Sequence, residues 1–415
     1  MDEIPVVTAF LRNRGSVLVL RRSDDVGSYA GRWGGVAGHA EGDPARAVRE
    51  EIREETGLEA DAVSLVRRGD SFAVTDTDLE TRWVVHPFLF DVSTRDVETN
   101  WETTAHEWVA PTELKRRETV PQLWESYDRV RPHVETITDD STHGSTTLSY
   151  RALAVLRDEA GIAATEDGSY GSVLDVAREL RTARPSMTVI RNRIDRAVAT
   201  APAETPRAVE ESAHEGIERA ERADTSAAET AAELVAGARV ATLSRSGTVC
   251  EALTAGEPAA VLVASSRPGG EGVEVAETLA GEGTTVTLTT DAAFPHELVV
   301  RDADLLLVGA DSLLPDGRVV NKVGTRGGAA VAAAESPDCY VAAATDKVRQ
   351  DATVDREPRD GREVYGGDAP VDVVNPTFDV TPGEHVDGFV TERGTLTVDD
   401  ISSIAAARAA HRDWV

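Results

Sequence analysis

Residues 238–264 read ARVATLSRSGTVCEALTAGEPAAVLVA. Two short, largely apolar runs, 240–243 and 260–264, bracket an Ala-rich amphipathic stretch at 247–255. Apolar runs without polar alternation suit strands buried on both faces, and a helix between two such strands is the crossover that makes them parallel. The pattern repeats downstream, with apolar runs at 286–288, 305–308 and 340–344 and amphipathic stretches at 272–281 and 325–335. This predicts an α/β fold built on a doubly wound parallel sheet of Rossmann-like type. Ligands of such sheets sit beyond the carboxyl ends of the strands. Here those ends read TLSRSG, ASSRPGG, TTDAA and GADS.

Upstream the period changes. Between 147 and 236 the apolar residues recur at helical spacing, as in Leu148, Ala152, Leu153 and Leu156, then Val173, Val176, Ala177 and Leu180. A helical subdomain of about four helices is expected there. Residues 136–146, TITDDSTHGST, are polar and turn-rich and read as a linker. Residues 1–135 read as α+β, with strand-like runs at 6–11, 17–21 and 84–90 and one strong helix at about 44–56. The expected division is therefore 1–135, a linker at 136–146, a helical part at 147–236, and the sheet domain at 237–415.

The formal net charge is −30, and lysine occurs only at Lys115, Lys322 and Lys347. Carboxylates spread over the whole chain suit a surface kept hydrated in concentrated salt, which points to a salt-loving archaeal source. The same balance argues against generic nucleic-acid binding, which needs a basic footprint. No apolar run approaches the roughly 18–20 residues of a membrane helix. The start, MDEIPVVTAF, lacks the regions of a signal peptide, so a soluble cytoplasmic protein is expected. Cys250 and Cys339 form neither a zinc spacing nor a disulfide framework.

Residues 35–58 read GVAGHAEGDPARAVREEIREETGL. Glu51, Glu54 and Glu55 stand at i, i+3 and i+4, which places them on one helix face. An acidic helix on an acidic surface has the same spacing. Like charges so placed repel, and a hard divalent cation bound by carboxylate oxygens offsets that. The segment resembles the Nudix box, and the flanking VLVLRRS, GRWGGVAGH and WVAPTEL agree with it. The resemblance covers about residues 4–130. It implies hydrolysis of a nucleoside diphosphate derivative with Mg2+ or Mn2+, with Glu51, Glu54 and Glu55 as ligands and one of them, Glu102 or Glu107 as base. The box departs from the family at one place. Anchored at Gly57, its arginine position holds Glu50, with Arg49 one residue early; anchored at Gly35, Arg49 fits but an extra residue falls inside the helix. The right-hand anchor keeps the three glutamates in register.

A second set of motifs lies further on: ARPSMTVIRNRI at 183–194, TLSRSGTVCEAL at 242–253, SSRPGGEG at 265–272, VGADSLLPDGRVVNKVGT at 308–325 and NPTFDVTP at 375–382. Over about residues 144–405 these resemble the family of initiation factor 2B regulatory subunits, ribose-1,5-bisphosphate isomerase and methylthioribose-1-phosphate isomerase. The resemblance implies a proton-transferring aspartate at Asp311 and sugar-phosphate contacts at Asn321 and Lys322. Ser244 and Arg267 would complete the site. Where the isomerases carry a proton-transferring cysteine this chain has Ser244, a much weaker acid. Where they carry an Arg-Gly phosphate loop it has His143-Gly144-Ser145. Three readings are therefore open: a hydrolase with an attached sugar-phosphate- or nucleotide-binding domain, a regulatory subunit with a nucleotide-sensing Nudix domain, and a bifunctional enzyme. A homodimer or larger oligomer through the C-terminal domain is expected from the second family.

Overall fold

The structure, a computed structural model, describes residues 2–140, 143–335, 337–354, 356–412 and 414–415. The chain divides into two compact units. One comprises residues 1–136, 154–173 and 202–217; the other comprises 137–153, 174–201 and 218–415. Among the described residues, no helix is long and apolar enough to cross a membrane.

The first unit contains β1 (Asp2–Asn13), β2 (Ser16–Arg22), β3 (Trp33–Gly34), β4 (Val36–His39), α1 (Pro44–Thr56), β5 (Val63–Arg68), β6 (Phe72–Asp76), β7 (Thr81–Val92), β8 (Thr103–Val109) and α2 (Leu123–Asp128). Among the described residues its strands form one eight-stranded sheet along the path β3-β2-β1-β7-β5, with β4 beside β1, β6 beside β7 and β8 beside β2. The long central pair β1 and β7 is parallel, with Ala9 opposite Phe88. Alternate residues of these strands bury opposite faces, as the period of two requires. Val7, Ala9 and Leu11 pack with Val48 and Ile52 of α1, while Phe10 and Leu89 pack with Leu123 and Tyr127 of α2.

After α3 (Val134–Thr138) come four long helices, α4 (Ser145–Thr165), α5 (Tyr170–Ala183), α6 (Thr188–Ala199) and α7 (Pro206–Val235). Parts of α4 and α7 belong to the first unit, so that unit is larger than residues 1–135. These helices meet the sheet of the same unit through polar contacts that are buried or part-buried. Arg157 is 0% exposed and donates to Asp158 Oδ1 at 2.8 Å and to the Gly15 carbonyl. Arg116 meets both oxygens of buried Glu210 at 2.7 Å. Gly15 has φ +73°, and a Cβ there would stand 2.9 Å from Ile217, so only glycine fits this turn.

The second unit contains β9 (Arg239–Leu243), α8 (Gly247–Gly256), β10 (Ala260–Ala264), α9 (Glu271–Gly281), β11 (Val286–Thr289), α10 (Phe294–Val300), β12 (Leu305–Val308), β13 (Ser312–Leu313), β14 (Val319–Lys322), α11 (Thr325–Glu335), β15 (Asp338–Ala342), β16 (Phe378–Thr381), β17 (Gly388–Thr391), β18 (Gly394–Leu396) and α12 (Val398–Ala407). Among the described residues its main sheet runs β11-β10-β9-β12-β15-β17-β18, parallel except at the β17–β18 edge. A three-stranded sheet β13-β14-β16 carries the hairpin after Asp311. From β9 the chain winds outward through β10 and β11 and returns to the other side of β9 as β12. The switch point therefore lies between β9 and β12, where Ser244 and Asp311 follow the strand ends.

Candidate functional sites

Helix α1 starts sharply because Asp43 accepts from the Ala45 N–H at 3.1 Å and Pro44 opens the first turn. It ends at Gly57, φ +69°, whose N–H returns to the Arg53 carbonyl. Between these caps the helix is continuous, so the three glutamates keep their spacing. The fold then gives them different surroundings. Glu55 is 5% exposed and accepts from the Ala37 N–H of β4 at 3.1 Å. Burial raises its pKa to about 8, with Glu51 and Glu102 adding repulsion and Arg22 opposing it. The Glu51 carboxylate lies against Gly38, where a Cβ would come within 1.8 Å of Oε1. Burial also raises Glu51, assisted by Glu54, Glu102 and Glu50. Glu54 is exposed and stands 3.6 Å from Arg53.

Glu51, Glu102, Glu41 and Arg22 line a cleft of about 760 Å³ together with Tyr29, Trp83 and Trp101. Trp83 donates to the Tyr29 hydroxyl at 3.1 Å, which donates to Asp76 at 2.7 Å, fixing that aromatic wall. Glu107 is not brought to the cleft; it is on β8 and pairs with Arg117 at 2.7 Å. Glu50 sits at the cleft rim in an exposed pair with Arg46 at 2.9 Å. Arg49 lies over the Phe90 ring, 5.5 Å from its centroid, and makes no ion pair with the glutamates among the described residues. Neither residue of the 49–50 doublet therefore orients the carboxylates.

Among the described residues, no three or more His, Cys, Asp or Glu side chains are gathered closely enough to hold a metal by themselves. The donor set nevertheless suits Mg2+ or Mn2+. It is all oxygen, it is mutually repulsive, and Mg2+ is commonly held by one or two carboxylates with water and substrate phosphate completing the shell.

In the second unit, Gly309 lets the two switch-point strand ends approach, since a Cβ there would stand 2.5 Å from Ser246 Oγ. Ser244 takes φ +66°, and its N–H donates to Ser266 Oγ at 2.6 Å. The 265–267 loop is tied to Asp291, which accepts from Ser265 Oγ and from the N–H groups of Ser266 and Arg267 at 2.7–2.9 Å. Arg267 is exposed, its guanidinium folded over Gly270. Lys322 is buried and paired with Glu271 at 2.7 Å. Asn321 is turned away from this crevice: its amide donates to Thr325 Oγ1 at 3.0 Å and steadies the start of α11. Asp379 caps the same helix start through the N–H of Gly324 at 2.8 Å.

Asp311 has Lys347, Lys322, Glu357 and a hydrogen bond to Ser145 around it. Burial pushes its pKa up, against the pull of the two lysines. Burial pushes buried Lys347 down, against the pull of Asp311. Burial raises the two cysteines as well, Cys250 to about 11 and Cys339 to about 12.

Sequence reasoning passed over Arg22, Glu271, Glu357 and Lys347. Two of these had a signal. Lys347 is one of three lysines in an arginine-dominated chain, and Glu271 is the penultimate residue of the quoted SSRPGGEG.

A model described as initiation factor 2 subunit family matches residues 141–398, more than half of the chain. The chain belongs to that family. A NUDIX domain model matches residues 3–130, so the family domain is joined here to a Nudix domain. The ribose 1,5-bisphosphate isomerase of Haloferax volcanii is 34% identical over 298 residues, 66% of this chain and 92% of that protein. A translation initiation factor eIF-2B subunit 2-like protein of Pyrococcus furiosus is 32% identical over 250 residues, 59% of this chain and 87% of that protein. Among solved structures, the Pyrococcus horikoshii translation initiation factor eIF-2B is similar at a TM-score of 0.55 and 26% identity, over 63% of this chain and 94% of that one. The initiation factor 2 resemblance thus spans the helices and the doubly wound sheet, and the Nudix resemblance the N-terminal sheet.

Proposed function

We propose that the Nudix domain is a metal-dependent hydrolase of a nucleoside diphosphate derivative and that the initiation-factor-like domain binds a phosphorylated sugar or nucleotide. The observation that carries the first half is the buried carboxylate of Glu55 beside Glu51 and Glu102, at a cleft with an aromatic wall. Glu51 and Glu54 would hold Mg2+ or Mn2+ with Glu55 behind them. The bound metal supplies neutralisation of the diphosphate and a lowered pKa for the attacking water. The Ala37 N–H orients Glu55, which as a carboxylate can take a proton from the attacking water. Tyr29, Trp83 and Trp101 offer aromatic surface for a base. A screen of nucleoside diphosphate derivatives with each metal tests this reading, which falls if none is turned over.

A second reading, isomerisation at Asp311, is favoured by the buried Asp311 within the field of Lys347 and by the likeness to an isomerase. Against it stands Ser244 in the place of a thiol. An isomerase assay with ribose 1,5-bisphosphate decides between binding and turnover, and Ser244→Cys should raise any activity that Asp311 and Lys347 alone sustain. The functional modules on this reading are 1–135 and 147–415, joined at 136–146, with the C-terminal domain forming a dimer or larger assembly.

A further inference from the structure

The strongest unassigned feature is a cavity of about 620 Å³ in the second unit, lined from α6, α7, α12 and the turn at Thr345–Lys347. In a chain of net charge −30, this cavity carries Arg196, Arg219, Arg222, Arg393 and Arg408. Its only acidic lining among the described residues is Asp346 and Glu392, two carboxylates against five guanidinium groups. Glu392 is committed to the turn, accepting from the Thr345 N–H at 2.9 Å and its hydroxyl at 2.5 Å. Asp346 is shared among Arg193, Arg196 and Arg408. Arg222 stands 3.6 Å from Glu218, so the surplus positive charge rests on Arg219 and Arg393.

The surplus is also unsatisfied locally. Arg408 is 5% exposed, and its Nε and Nη1 have no hydrogen-bond partner. Arg219 and Arg393 make no ion pair or side-chain hydrogen bond among the described residues. The buried unpaired donors of Arg408 cost free energy, and a multiply charged anion reaching them would recover it, with the more accessible Arg219 and Arg393 at its mouth. Guanidinium forks match phosphate oxygens two at a time. The excess exceeds what one carboxylate needs and suits a phosphomonoester or diphosphate. Ala223, Ile404 and Ala407 give an apolar wall for the rest of such a molecule.

We propose that this arginine-lined cavity binds a small phosphate-bearing anion, at a site separate from the carboxylate cleft and from the crevice around Asp311. Pyrophosphate, in a chelator so that no divalent metal recruits it elsewhere, is the probe. Calorimetry on the full chain, in the KCl buffer in which circular dichroism shows the fold, should give saturable binding. Arg219→Gln and Arg393→Gln, singly and together, should weaken it by at least about ten-fold, the scale of charge-assisted contacts. Both side chains are unpaired, so the melting temperature should not fall. Lys322→Ala should leave this binding within about two-fold, because that lysine belongs to the other crevice. The proposal is overturned if pyrophosphate does not bind, if binding survives the double variant, or if added chloride matches pyrophosphate at equal ionic strength. It is also overturned if the double variant dissociates an oligomer instead, since the arginines would then serve a second copy of the chain.

Discussion

The carboxylate cleft of the Nudix domain and the Asp311 crevice of the initiation-factor-like domain treat buried charge in opposite ways. In the cleft, Glu55, Glu51 and Glu102 repel one another, and at Glu55 only the Ala37 N–H and Arg22 oppose them. In the crevice, each acid has a base at hand: Lys322 is held by Glu271, and Asp311 has Lys347 beside it. The first site lacks positive charge and is improved by adding a cation. The second is already internally neutralised, so an anionic ligand must displace a protein group. Desolvation makes both arrangements costly, but only the first is costly until something binds.

The largest expected effect breaks the cleft. Glu55→Gln or Glu51→Gln should lower metal-dependent hydrolysis by roughly 10²–10³, the scale of removing one preorganised electrostatic group. Steady-state kinetics on the best substrate of the screen checks it, and a variant retaining a tenth of the rate would remove that residue from the site.

In the crevice, Lys322→Ala should weaken sugar-phosphate binding roughly ten-fold, since a charge-assisted contact is lost. Glu271→Gln should do the reverse, because it frees Lys322 from its internal partner. Titration calorimetry on both variants sharpens the contrast; equal loss from both would mean that the pair acts only as structure.

A smaller effect concerns stability without metal. Glu55 has a folded pKa of about 8 against a usual 4.5. A carboxyl with a raised folded pKa contributes no penalty below about pH 4.5, and stability is lost as pH rises from there toward 8. Glu55→Gln should therefore flatten that decline in chelator, melting higher than the parent at pH 8 but not at pH 4.5. Saturating Mg2+ should reverse the order at pH 8. Thermal melts at the two pH values check the sign.

The smallest effect is at the 49–50 doublet. Glu50→Arg removes a like charge from beside Glu51 and should raise metal affinity by no more than a few-fold, as exposed charges are well screened. A fall in affinity would favour the other anchor for the motif.

The alternation from 238 onward was legible because a strand buried on both faces must be continuously apolar, and the register of Glu51, Glu54 and Glu55 because a capped helix has a period of 3.6. The same logic located Ser244 and Asp311 at strand ends. It did not distinguish Glu54, which faces solvent, from Glu55, which is sealed under β4, although the two are adjacent. Nor did it foresee that Asn321 would bond to Thr325 at the start of α11 or that Glu107 would pair on the surface.

Sequence alone therefore determined the element types, the helix register and the residues available for chemistry, since all of these follow from local periodicity and capping. Tertiary structure decided which of those residues are buried and what they face. Lys322 meets Glu271 across 51 residues and Arg408 meets Asp346 across 62. Such partners are set by strand order and helix packing, and the same burial sets their electrostatics, so neither could be read from spacing along the chain.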